Sequence, residues 1–408
     1  MAPRWYSWTR LPVAFGALAL ALCSGLLIAN LTVEFFHRGK PIKLSPGLTG
    51  VTAPEDPPAL SRQTVLSGVY QRFFARDIGS QVPLYPAAVR LRNQIGYSLF
   101  GMAGVPNLLV GRHDQLIEKV YVDEYCSRNL AQFLPQAEIW ARKLRQMQDD
   151  TERRGKTFLY VITPSKVGQY PGYLPAGIHC PAPEADRTAL IPAWVKILQR
   201  DGVHFVDTTA VLWAAHGAYP FDLWPRGGTH WDAVGSALGS QAVEAALASL
   251  RHDGVFAPFT FTWHMVSPPV GADRDLASLM NLDMRIDNYS VPALSVTWGP
   301  AVCRKLNVTV VGGSFMIAVA HLLGEGPCRP HFVEYEYWKS YHLTWPHGVM
   351  AVPPINDAER ARDVMDADVL IYEENEQNVA RSNHGPALYD FLAKQPGWLP
   401  ERTQAAAP

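Results

Sequence analysis

The sequence predicts an α/β fold: a mostly parallel sheet with helices on both faces, preceded by one apolar helix near the N-terminus. Three observations predict it. Short apolar runs recur as buried parallel strands do: TFLYVI at Thr157–Ile162, VHFVD at Val203–Asp207, NVTVVGG at Asn307–Gly313 and DVLIYEE at Asp368–Glu374. Between them lie segments with apolar positions at helical spacing, Leu134–Arg154, Leu190–Gly202 and Ala233–Leu250. Such strand–helix alternation implies a sheet covered on both sides, with its chemistry at the carboxyl ends of the strands. Third, residues from Leu11 to Phe36 form an apolar run with Glu34 near its end, behind Arg4 and Arg10.

About twenty apolar residues in a helix cross a bilayer. The run exceeds the h-region of a cleavable signal peptide and lacks a small-x-small site at its end. Cys23 follows Leu22, where a lipoprotein box needs a small residue. An uncleaved signal anchor is therefore expected, spanning 11–36. Arg4 and Arg10 favour a cytoplasmic N-terminus (1–10), although His37, Arg38, Lys40 and Lys43 blunt that bias. Residues 37–65 are rich in proline and glycine and read as a spacer, 66–400 as one α/β domain, and 401–408 as a frayed tail.

Of the 408 residues, 48% are hydrophobic, ample for a core of this size, and the formal net charge of −1 gives no reason to expect nucleic acid as a partner. The 13 histidines are scattered without a metal-ligand pattern, so no metal is expected. The 12 tryptophans and 16 tyrosines fit either core packing or a sugar-binding groove. Apart from Cys23, Cys126, Cys180, Cys303 and Cys328 allow three pairings. Cys303 with Cys328 and Cys126 with Cys180 are favoured because each closes a modest loop; the alternative is free buried thiols.

Two segments can carry chemistry. In VTVVGGSF a strand runs into Gly312-Gly313 and Ser314 before an apolar helix, which sets the Ser314 hydroxyl at the sheet's carboxyl edge. Backbone N–H groups around Gly313 would then face a developing oxyanion; alternatively Ser314 only caps the helix. In GGTHWDAVGSAL, His230 precedes a helix and can act as a base near neutral pH. In TPSKVGQYPGYLP, Lys166 lies in a proline-bounded loop after a strand, where it either binds an anionic group or is an ordinary solvated charge.

In order along the chain, NLLVGRHDQLIEKVY, FLYVITPSKVGQYPGYLP, GGTHWDAVGSAL, VVGGSF and DVLIYEENEQNV resemble the SGNH-hydrolase-like acetyltransferases of bacterial exopolysaccharide modification, typified by periplasmic alginate O-acetyltransferases. The resemblance implies an SGNH-hydrolase-like fold for the 66–400 domain, a serine nucleophile at Ser314 and a base at His230. The family's aspartates two residues before the histidine and directly before the serine are Gly228 and Gly313 here. Asp232 and Asp222 are the nearby candidates for the orienting carboxylate, and Trp231, beside His230, is a candidate sugar contact.

The function so implied is extracytoplasmic O-acetyl transfer through a serine ester onto an exopolysaccharide acceptor. The donor would be a multi-spanning membrane acyltransferase, with no soluble cofactor, and the chain would be anchored once in the inner membrane with its catalytic domain in the periplasm. Two alternatives accompany it: a degenerate member that binds polysaccharide or secretion machinery, motivated by Gly228 and Gly313, and an esterase that uses the same Ser/His pair with water as acceptor.

Overall fold

The computed structural model describes residues 10–36, 42–50, 57–80, 82–284, 286–338, 341–346, 348–351 and 357–398. The N-terminal segment 1–9 and the tail 401–408 lie outside them, as does part of the 37–65 spacer. The chain divides into two compact units, 1–106 with 277–286, and 107–276 with 287–408. Residues 66–106 cluster with the first unit rather than with the sheet.

The first unit holds α1 (Arg10–Phe35), α2 (Arg62–Leu66), α3 (Val69–Ser80) and α4 (Tyr85–Phe100). Over Gly16–Val33, α1 has a mean hydropathy of 2.0, and it is long and apolar enough to cross a membrane. Ser61 starts α2 with a capping box: its hydroxyl accepts from Thr64 N, and the Thr64 hydroxyl accepts from Ser61 N. Gly101 ends α4 in the left-handed conformation, φ 62°.

The second unit contains β1 (Leu108–Val110), β2 (Leu116–Glu118), α5 (Lys119–Ser127), α6 (Leu130–Arg153), β3 (Thr157–Thr163), α7 (Lys166–Gln169), α8 (Glu184–Asp201), β4 (Phe205–Asp207), α9 (Thr208–Ala214) and α10 (Ala233–Arg251). There follow the hairpin β5 (Phe259–Val266) and β6 (Val291–Trp298), interrupted by α11 (Asp275–Leu279), whose last residues belong to the first unit. The chain continues through β7 (Asn307–Gly312), α12 (Phe315–Gly324), β8 (His331–Glu336), β9 (Tyr341–Trp345), β10 (Val349–Ala351), α13 (Asp357–Asp366), β11 (Val369–Asn375) and α14 (His384–Leu392).

Seven strands form the central mixed sheet in the order β10-β9-β8-β7-β11-β3-β4. The five from β8 to β4 are parallel, and β9 and β10 run antiparallel at one edge. The chain leaves β3 toward one edge and β7 toward the other, with β11 filling the gap between them. Ligands gather at such reversals, outside the carboxyl ends.

Strand side chains alternate between two cores. Phe158, Tyr160, Ile162, Val311, Leu370 and Tyr372 face α6, α8 and α14. Leu159, Val161, Val308, Val310, Val369 and Ile371 face α10 and α12. Both faces are buried, which is why the strands read as continuous apolar runs rather than alternating ones. Fully buried Trp194 packs edge-on against Phe133 and Tyr160; a ring of that size contributes on the order of 5 kcal/mol of burial before its ordering cost.

Cys126 is bonded to Cys180 and Cys303 to Cys328. The second bond spans 25 residues and links the segment before β7 to the turn after α12. Replacing Cys303 and Cys328 by serine is expected to cost about 3 kcal/mol through the entropy restored to the unfolded chain. A denaturant titration of the double variant beside wild type checks this.

Candidate active site

Ser314 follows β7 at the carboxyl edge, between β11 and β8. It occupies the N-cap position of α12, yet its side chain makes no capping bond. Its Oγ instead lies 2.8 Å from His230 Nε2, and His230 Nδ1 lies 2.8 Å from Asp275 Oδ2. With the Nδ1–H donated to Asp275, Nε2 is left as the acceptor that can take the Ser314 proton. His230 is packed on one side by the Phe315 ring, 4.9 Å between centroids. Its side chain and that of Asp275 are 19% and 29% exposed, so the hydrogen bonds are shielded while a substrate can still reach the serine.

The carboxylate on the ring is thus Asp275, at the start of α11, and not Asp232 or Asp222. Asp275 Oδ1 accepts from Thr229 N at 2.9 Å and Leu276 N at 2.6 Å, so both of its oxygens are engaged. Asp232 is the N-cap of α10, accepting from Gly235 N at 2.8 Å, and burial pushes its carboxyl up to about 7. Asp222 is exposed and accepts from the Tyr173 hydroxyl.

The geometry also explains Gly228. A Cβ there would sit 2.4 Å from Ala272 O, 2.8 Å from Pro225 Cγ and 3.3 Å from the carbonyl carbon of Asp273. The segment that delivers Asp275 passes through the space that a side chain at 228 would occupy. The absent aspartate and the one supplied from elsewhere are consequences of the same close approach.

Gly313 does not offer its N–H to the cleft. That N–H is donated to Glu373 Oε2 at 2.5 Å, and Glu373 is fully buried with its other oxygen accepting from Thr163. The N–H left at the turn is that of Ser314, and the Tyr337 hydroxyl lies close by, 3.8 Å from the position a Cβ would take on Gly313. Burial raises the Tyr337 phenol above its ordinary value and the proximity of Ser314 offsets only part of this, so the hydroxyl keeps its proton and can donate.

Lys166 and Trp231 do not line the cleft. Lys166 is buried, and its Nζ donates to Leu116 O and Pro225 O, each at 2.9 Å, and to Arg226 O at 3.5 Å. Burial pushes its amine down to about 7, against the pull of Asp275 and Glu118. It ties the loop before His230 to β2. Trp231 is buried edge-on against Phe315 in the core beneath α10 and α12.

Sequence reasoning missed Asp275, Tyr337 and Glu373. It also missed Glu118, which accepts from the Thr229 hydroxyl at 2.7 Å, and Tyr121, whose phenol is raised by burial and then by Glu118, Tyr337, Glu373 and Asp275. Asp275 stands in GADRDLASL, a stretch with no motif around it. Among the described residues, no group of three or more His, Cys, Asp or Glu side chains is placed to hold a metal ion.

A strand-end serine, a histidine and an aspartate stand in one hydrogen-bonded line, the arrangement that a nucleophile with an oriented base requires. Residues 121–316, which include all three, match the family model described as SGNH hydrolase-like domain, acetyltransferase AlgX. Over that stretch the chain is similar to the SGNH hydrolase-like acetyltransferase family. No curated protein matches it in sequence. Among solved structures, the O-acetyltransferase domain of Pseudomonas putida AlgJ is 16% identical, with a TM-score of 0.45 over 71% of this chain and 99% of that one. Pseudomonas aeruginosa AlgX is 14% identical, with a TM-score of 0.43 over 70% and 67%. Bacillus cereus PatB1 is 10% identical, with a TM-score of 0.41 over 62% and 92%.

Two predictions follow from this geometry. Gly228→Asp is expected to lower stability by about 1–3 kcal/mol, because the 271–275 segment must move. It is also expected not to rescue Asp275→Asn. Thermal melts and the rate of Ser314 acylation in the single and double variants read both effects.

The second prediction concerns Asp232. Its folded-state pKa, near 7, lies above the unfolded value, so the folded protein binds the proton more tightly and stability falls as pH rises from about 4 to 7. Asp232→Asn keeps the cap and removes the charge. The variant is expected to be more stable than wild type at pH 8, with the advantage vanishing near pH 4. Melting temperatures across that range check it.

Proposed function

We propose that the protein is an extracytoplasmic O-acetyltransferase that moves an acetyl group through a Ser314 ester onto hydroxyls of an exopolysaccharide. The observation that carries this reading is the hydrogen-bonded line Ser314–His230–Asp275. His230 Nε2 takes the Ser314 proton as Oγ adds to the donor's acetyl carbonyl carbon, and Asp275 holds the resulting imidazolium. The tetrahedral oxyanion forms beside the Ser314 N–H, with the Tyr337 hydroxyl as a second donor. As the intermediate collapses, the bond from the acetyl carbon to the donor breaks and His230 returns the proton to the leaving group. A sugar hydroxyl then repeats the sequence: its proton passes to His230, its oxygen bonds to the acetyl carbon, and Ser314 leaves with the proton restored.

Acetyl-CoA is absent outside the cytoplasm, so the reading includes a multi-spanning membrane acyltransferase that delivers acetyl groups. It also includes the N-terminal helix as a single-pass anchor in the inner membrane, with the sheet-bearing unit in the periplasm. The alternative of a non-catalytic member was motivated by the glycines at 228 and 313, and Asp275 removes half of that motivation by restoring a carboxylate to the base.

The test is intact-mass analysis of the full-length protein in detergent after exposure to an activated acetyl ester. Wild type is expected to gain one acetyl group and Ser314→Ala none. Asp275→Asn is expected to acylate about two to four orders of magnitude more slowly, as loss of an orienting carboxylate does elsewhere. An unmodified, folded wild type would refute the catalytic reading.

A further inference from the structure

Tyr337 helps to line a cavity of about 440 Å³ whose wall also includes Asn378, Arg381, Asn383, His384 and Ala387. Its size falls within the roughly 300–1,000 Å³ of small-molecule sites. Tyr337 belongs to both places. The position a Cβ would take on Gly313, at the turn that carries Ser314, lies 3.8 Å from its hydroxyl and 3.5 Å from its Cε1. The residue is nevertheless 45% exposed, so the hydroxyl end is turned to the serine while much of the ring stays open.

The backbone holds this placement against its own preference. Tyr337 and Trp338 are consecutive non-glycine residues with φ of 51° and 67°, a conformation that costs on the order of 1 kcal/mol or more per residue. Tyr337 N donates to Gly312 O at 2.8 Å, and Arg360 donates to Trp338 O at 2.9 Å while its guanidinium lies 4.9 Å from the Trp338 ring centre. Strain held in this way marks a side chain whose position matters.

The lining has polarity without unbalanced charge. Arg381 is paired with Glu124 at 2.5 Å, Glu124 with Arg128 at 3.1 Å, and Arg128 with Glu376 at 3.2 Å. Two guanidinium groups thus meet two carboxylates, and an anionic ligand would have to take Arg381 from Glu124. The remaining polar side chains are Asn378, Ser382, Asn383 and His384. Asn383 precedes α14 without making a capping bond. His384 lies edge-on to Tyr337 and directs Nε2 to Glu373 O at 3.1 Å, which leaves its other ring nitrogen for a ligand.

We infer that this cavity is an acceptor subsite for a neutral pyranose ring, seated on Tyr337 and hydrogen-bonded by Asn378, Asn383 and His384, from which a sugar hydroxyl reaches Ser314. An open aromatic face takes the apolar face of a sugar, while amides and an imidazole exchange hydrogen bonds with hydroxyl groups. The inference rests on the acetyl-transfer reading and specifies its acceptor as an uncharged sugar.

The test measures calorimetric binding of neutral pentasaccharides (α-glucan, β-glucan and β-mannan) and of pentagalacturonate to the full-length protein in detergent. At least one neutral pentasaccharide is expected to bind wild type and Ser314→Ala equally, and more tightly than pentagalacturonate. Ala387→Trp, which fills the cavity, is expected to weaken it at least tenfold. Asn383→Ala, at an exposed position, is expected to weaken it several-fold with an unchanged melting temperature, which keeps the test decisive if Ala387→Trp misfolds. Absence of binding by every neutral member, tighter binding of the uronate, or binding unaffected by the two substitutions overturns the assignment. Acetylation of Ser314 is read separately by mass. Neutral-sugar binding that responds to the variants, with Ser314 never acetylated, would sink acetyl transfer and leave a sugar site. Acetylated Ser314 without such binding would sink only the subsite.

Discussion

The arrangement of this site depends on one buried carboxylate, Glu373. From β11 it accepts the Gly313 N–H with one oxygen and the Thr163 hydroxyl with the other, so a single side chain joins the carboxyl ends of β7, β11 and β3. Gly312 is what lets it come so close: a Cβ there would stand 2.6 Å from Glu373 Oε2. With the preceding amide anchored from below, the turn into α12 leaves the Ser314 side chain uncommitted to capping, and it meets His230 instead. A buried carboxyl is costly without partners, which makes this contact a fixed point rather than an ornament.

The same edge is braced further along β11. Glu374 is fully buried and accepts from the hydroxyls of Tyr160, Tyr372 and Ser382, from Trp140 Nε1 and from Ala380 N. Glu376 accepts from the Ser165 backbone and side chain and meets Arg128. Saturated networks of this kind rigidify what they touch. Here they hold the turn between β11 and α14, which forms one wall of the cavity beside Tyr337, and the loop that begins with Ser165. Lys166, the next residue, reaches three carbonyls in β2 and the loop ahead of His230.

Much of the α/β architecture was legible in the chain, because strands buried on both faces must be continuously apolar and the covering helices must be amphipathic. The runs at 157–162, 307–313 and 368–374 correspond to β3, β7 and β11, and Leu134–Arg154 to most of α6. The antiparallel edge of β9 and β10 was not legible, nor was the β5–β6 hairpin, where exposed and half-buried residues dilute any pattern. Ser314 and His230 stood out because strand-to-turn chemistry is local. Asp275 did not, since its meaning comes from a contact 45 residues away in sequence. Lys166 reads as a solvated or ligand-binding charge for the same reason: only the fold shows three carbonyls converging on it.

The close packing at Gly228 has a wider consequence for how such chains are sorted. A pattern search that requires an acid two residues before the histidine would discard this one as inactive. In three dimensions the glycine is a footprint, since the backbone of Ala272 and Asp273 occupies the volume a side chain there would need. The residue carried by that backbone is the first place to look for the missing acid. Contacts of this kind are better inventoried by which atoms meet the imidazole than by spacing along the chain, since Asp275 reaches the ring from 45 residues away.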